Sequence, residues 1–162
     1  MGRRKERSGS VLWLTPAVMW VAVLFYFSGQ DGGQSSALSA ALAEKLLRHM
    51  PFLAVSVETF ELVLRKLAHF GIFAVEGFLL RLGLGKLRPA RFGNILLSVF
   101  IGGGLAVLNE LHQLASEGRV CSAADMAIDA SGVLAGALVA AAIENIAWAY
   151  VHRRRRRFSE EP

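Results

Sequence analysis

Between Asn109 and Gly136 the sequence NELHQLASEGRVCSAADMAIDASGVLAG sets Glu110, His112, Gln113, Glu117, Arg119, Asp125 and Asp129 between two flanks that are almost purely apolar. Ionisable groups beside hydrocarbon are expensive, and membrane proteins that keep them usually use them. An earlier stretch adds Lys66, His69, Phe73 and Glu76 at intervals of three, four and three residues, which puts all four on one helical face. These residue types suit three kinds of chemistry. As an enzyme, His69 would act as general base with Asp125 or Glu110 orienting it, while Lys66 and Arg119 hold a phosphate or stabilise an oxyanion. Lys66, His69, Glu110 and Asp125 are therefore the candidate catalytic residues. As a binding site, Lys66 and Arg119 would engage an anionic headgroup, and the carboxylates would orient those cations or receive an amine. As plain structure, opposite charges would pair so that helix ends can pack.

Other chemistries find less support. Ser28, Ser35 and Ser36 are possible nucleophiles, but no nucleophile elbow surrounds them. A metal site of His69, Glu110, Asp125 and Asp129 is possible in principle. Glu110 and His112, however, lie two apart and point about 200° from each other on a helix, so they do not chelate together. No metal and no cofactor is assigned. Cys121 is the single cysteine, which excludes an internal disulfide and multi-cysteine metal spacings.

The elements that must position these residues read as membrane helices. The 162 residues are 54% hydrophobic, so the membrane class is favoured over the soluble one. A first span runs from about Val11 to Phe27, with Pro16 a possible kink near its start. It is too long, and lacks the cleavage pattern, for a signal peptide. FSGQDGGQSS then reads as a turn, and residues 36 to 49 as a short amphipathic helix on the membrane surface, ended by Pro51. The second span starts near Ser56 and reaches about Gly85. From Lys66 to Arg81 it covers about 22 Å, so both ends are expected to snorkel. Glu76 within it reads as a protonated carboxyl hydrogen-bonded inside the bundle.

The third span covers about Phe92 to Leu114, with Gly102, Ala106, Asn109 and Gln113 on one face, Glu110 beside them, and a glycine triplet at 102 to 104 for close helix approach. The fourth starts near Ala123. Its Asp125, Asp129, Gly132 and Gly136 fall on one side of a helical wheel, an acidic stripe above a small-residue seam. His112 should face the loop or lipid headgroups, and Trp148 and Tyr150 are placed as interface anchors.

The net charge of +5 does not imply nucleic acid, because the basic residues gather in GRRKER, HRRRRR and the 86 to 91 loop. Four spans would put all three clusters on the cytoplasmic side. The domain plan is a basic tail at 1–9, a four-span membrane domain at 10–152 and a basic tail at 153–162. The polar segments would then meet on the outer face.

The chain resembles the VanZ-like family of small bacterial membrane proteins. The resemblance is carried by Ser28, Gln30 and Ser35 after the first span, by RKLAHF with Arg65, Lys66 and His69, and by NELHQLASEGR followed by Asp125, Asp129, Gly132 and Gly136. Two positions depart from the pattern: Phe73 replaces an expected tyrosine, and Ser116-Glu117 precede Gly118-Arg119 where a proline-glycine-arginine turn is common. The founding member is associated with low-level resistance to teicoplanin, a lipid-tailed glycopeptide. The candidate ligand-binding residues are Ser28, Gln30, Ser35, Arg65, Gln113, Arg119 and Asp129.

The expected molecule is an all-α polytopic protein of the bacterial cell membrane, a four-helix bundle with a surface helix and both termini cytoplasmic. It would recognise a lipid, cell-wall precursor or lipoglycopeptide at the outer leaflet, or, alternatively, modify such a lipid.

Overall fold

The computed structural model describes residues 11–29, 32–87, 91–115 and 121–159, with the backbone alone for 34, 35, 91 and 154–159. Every element among them is helical: a 3-10 turn Leu12–Leu14, then α1 (Thr15–Ser28), α2 (Gly32–His49), α3 (Val57–Leu87), α4 (Arg91–Gln113) and α5 (Ala123–Ser159). Pro16 lies in the first turn of α1, where its missing N–H has no intrahelical partner to lose, so it starts the helix and does not kink it. Ser56 starts α3 by accepting a hydrogen bond from the Thr59 amide at 3.2 Å, and Ser122 does the same for Asp125 at the head of α5, also at 3.2 Å.

Three helices have the length and composition to cross a membrane: Val57–Leu87, Phe92–Gln113 and Ala123–Arg153. The apolar segment Leu12–Ser28 is shorter, about 25 Å at the usual helical rise against roughly 30 Å of hydrocarbon. The outward faces of the helices carry Val18, Met19, Leu67, Phe100, Val139 and Ile143, all exposed. Such a coat suits lipid and not water.

The most extensive helix contact joins α3 to α5, and glycine makes it possible. A side chain at Gly77 would collide with the backbone of Val133, one at Gly132 with the carbonyl of Phe70, and one at Gly136 with the carbonyl of Ala74. The expected small-residue seam on α5 is thus met by a glycine of α3 that the sequence did not single out. Of the glycine triplet, Gly102 faces Val133, whose Cγ1 lies 2.5 Å from where a Cβ would stand; Gly103 and Gly104 meet nothing within 4 Å among the described residues. Around the seam, Leu24, Phe73, Ala106 and Val133 form the apolar core, one residue from each of α1, α3, α4 and α5. Phe73 fits among these side chains without a hydroxyl to satisfy. Trp20 ties α1 to α3 by donating its indole N–H to the carbonyl of Ile72 at 2.9 Å.

Three further expectations change. The surface helix begins at Gly32, four residues earlier than read, because Gly32 and Gly33 sit in its first turn, where few intrahelical bonds are at stake. Arg81 does not snorkel: it is 1% exposed and its Nη2 lies 2.7 Å from Glu144 Oε2 of α5. Glu76 is fully buried, but neither carboxylate oxygen has a hydrogen-bond partner among the described residues. The bundle therefore encloses further polar side chains, Glu76 and Arg81 on α3 and Asn94 and Ser98 on α4, all buried.

Candidate functional site

At the end of the bundle where α3, α4 and α5 meet, polar contacts follow the helix repeat. Lys66 Nζ stands 3.2 Å from Asp125 Oδ1, and both side chains are partly exposed. One turn deeper, His69 Nδ1 stands 3.2 Å from Asp129 Oδ1. Lys66 and His69 are three apart on α3, and Asp125 and Asp129 are four apart on α5, so two helices packed along a glycine seam bring the pairs into register. The deeper pair is also the more enclosed, with Asp129 at 0% exposure.

Glu110 joins this group from α4. It is fully buried, and its Oε2 accepts the backbone N–H of Ser122 at 2.8 Å. An amide at the start of α5 carries the partial positive charge of a helix N-terminus, so a carboxylate is well placed there. Each carboxylate nonetheless keeps one oxygen without a hydrogen-bond partner among the described residues: Oε1 of Glu110 and Oδ2 of Asp129.

Beside the group lies a cavity of about 310 Å³. Leu24 and Phe27 of α1, Leu38 and Leu42 of α2, and Leu64, Ile72 and Phe73 of α3 form greasy walls. Its polar lining is Ser28, Ser39, Arg65, His69, Asn109 and Gln113. The helix α2 is held in place by Ser39, which donates its hydroxyl to Glu61 Oε1 of α3 at 3.2 Å. Arg65 has no ion-pair partner among the described residues, and the Ser28 hydroxyl, though buried, has no hydrogen-bond partner among them.

Of the residues singled out by sequence, Lys66, His69, Glu110, Asp125 and Asp129 converge, while Ser28, Arg65, His69 and Gln113 line the cavity. Gln30 and Arg119 lie outside the described residues; Ser35 falls in α2, and its side chain is likewise outside them. His112 is exposed, its ring edge-on to Phe25 at 5.4 Å between centroids, so it packs across to α1. Sequence reasoning placed Asn109 on the inward face without giving it a role, and missed Ser122 and Ser39. Ser122 could have been found as the cap of a helix that begins at Ala123 and carries Asp125 three residues after the cap.

A comparison with family models matches residues 13–144 to the VanZ/LLP1 family. No curated protein and no solved structure matches the chain. The matched segment spans α1 to α5 and contains every residue of the polar group and the cavity lining, and the chain belongs to the VanZ/LLP1 family.

Proposed function

We propose that this VanZ/LLP1-family chain is a multi-pass cell-envelope protein that recognises an amphiphile with an anionic head at the outer leaflet. Such a ligand would be a lipid, a lipid-linked cell-wall precursor or a lipoglycopeptide of the teicoplanin type. The cavity carries this reading: its apolar walls match an acyl or prenyl chain, and Arg65, without an ion-pair partner among the described residues, supplies the charge for a phosphate or carboxylate. Lys66 extends the basic surface, held toward the site by Asp125. The basic tails and the 86 to 91 loop would lie in the cytoplasm, with α1 as a fourth span and α2 against the outer surface, where it walls the entrance. Contribution to glycopeptide resistance would follow from sequestering or displacing such a ligand.

Binding is testable on the detergent-purified chain by native mass spectrometry with phosphatidylglycerol, a polyprenyl phosphate and teicoplanin as probes. One probe should be retained in preference to the others. Arg65→Ala removes a charge-assisted contact and should weaken retention at least about tenfold. Ala68→Trp, which fills the cavity, should abolish it. Retention unaltered in both variants defeats the proposal.

The His69–Asp129 pair favours a second reading. An imidazole held by a buried carboxylate at the edge of a ligand cavity is the arrangement of a general base, with His69 taking a proton from a hydroxyl or water and Asp129 fixing the ring. Lipidomic comparison of deletion and overexpression strains separates the two readings: an enzyme creates or consumes a lipid species, and a binder leaves the composition unaltered.

A further inference from the structure

We propose that His69, Glu110 and Asp129 form a binding site for one divalent cation, Mn²⁺ or Zn²⁺. Geometry comes first. One potential ligand atom from each residue lies within 4.8 Å of the other two. Donors around an ion at about 2.1 Å stand roughly 3.0 to 4.2 Å apart, so side-chain shifts of well under 1 Å would close the site. The three residues come from three different helices, each fixed by the backbone packing of the bundle.

The second observation is the pair of stranded oxygens. Glu110 and Asp129 are both completely buried, and each keeps one carboxylate oxygen without a hydrogen-bond donor among the described residues. Burying a charge without a partner is among the most costly things a fold can do. Among the described residues, the local charges do not remove that cost. Lys66 is engaged with Asp125, and His69, even when protonated, would offset only one of the two carboxylates. A divalent cation offsets both. The remaining contacts are already arranged to orient the ligands: the Ser122 amide holds Oε2 of Glu110 at 2.8 Å, and the first turn of α5 is in turn capped by Ser122.

Donor chemistry narrows the metal. Two carboxylates and one imidazole suit the borderline ion Zn²⁺, and Mn²⁺, a harder ion that still accepts an imidazole beside carboxylates, better than Ca²⁺ or Mg²⁺, which favour all-oxygen sets. Three protein ligands also leave further coordination positions open. Because His69 lines the cavity, those positions would be available to water or to the oxygen of a bound headgroup. The sequence had argued against a metal from the Glu110/His112 spacing alone. Of the four residues the sequence offered as possible ligands, His69, Glu110 and Asp129 stand together, and Asp125 is not in the group.

The test uses the full chain purified in neutral detergent and stripped with chelator, with Mn²⁺ as probe and no lipid added, so it does not depend on the amphiphile reading. Free Mn²⁺ is followed by electron paramagnetic resonance. The parent should take up about one ion per chain, displaced by Zn²⁺. His69→Ala and Asp129→Asn should each weaken binding at least about tenfold, while Glu58→Gln, on the exposed start of α3, should leave it unaltered. Size-exclusion elution at the parent position establishes that each variant is folded, and the near-isosteric Asp129→Asn carries the test if His69→Ala does not elute there. Absence of saturable uptake by the parent, or uptake unaltered in the folded variant, overturns the site.

Discussion

Replacing Glu144 with leucine should destabilise the protein more than replacing its partner Arg81 with methionine, and replacing both should restore most of the loss. The asymmetry follows from burial. Arg81 has a side-chain exposure of 2% and Glu144 one of 32%, so a lone Glu144 can turn toward solvent whereas a lone guanidinium stays enclosed. Arg81 Nε and Nη1 already have no partner among the described residues, and the ion pair with Glu144 is the contact that justifies the charge. Breaking a buried pair from the exposed side should cost about 3–5 kcal/mol, while substituting both ends with apolar groups is often neutral or stabilising. Thermal unfolding of the four proteins in one detergent forms a double-mutant cycle, and equal losses in the two single variants would contradict the account. Gly85 belongs to the same arrangement: a Cβ there would stand 2.8 Å from both Arg81 Nη1 and Glu144 Oε1, so the pair occupies space that glycine leaves.

This pair also shows where the sequence stopped being legible. Helix periodicity recovered much of the candidate site, because Lys66 with His69 and Asp125 with Asp129 are local spacings on single helices, and two stripes of matching repeat can align in few ways once their helices pack. The inward face of α4 was legible for the same reason. Arg81 was misread because a charged residue near the end of an apolar run ordinarily reaches for the interface. What held it inside was Glu144, 63 positions later, in a stretch of α5 with no periodic signal of its own. Gly77 was missed in the same way, since a glycine on α3 reveals its purpose only when the partner backbone is in place. The start of α2 was misplaced by composition: Gly32 and Gly33 look like a turn, yet a helix tolerates them in its first residues. The group of His69, Glu110 and Asp129 joins residues 41 and 19 positions apart, and no spacing rule within one helix contains it.

The glycine seam accounts for the alignment of those stripes, and its disruption should have the largest effect on the whole molecule. Gly136 brings α5 onto the carbonyl of Ala74, and Gly77 brings α3 onto the backbone of Val133. Nothing soft lies in either direction, so a side chain cannot be accommodated by a rotamer change and the helices must separate. Gly136→Val should therefore cost at least about 3 kcal/mol, seen as a fall of roughly 6–12 °C in melting midpoint or as loss of the folded fraction. Gly103→Ala is the control. Its position is open, and alanine is the better helix former, so the change should stay within about 1 kcal/mol and favour the fold. Separation of α3 from α5 would also draw Lys66 from Asp125 and His69 from Asp129, because both pairs cross that seam. A milder variant, Gly132→Ala, pressing on the carbonyl of Phe70 beside His69, should then lose ligand retention before it loses its folded elution profile. If Gly136→Val melts like the parent, the close approach of α3 and α5 is wrong, and the registration of the polar pairs falls with it.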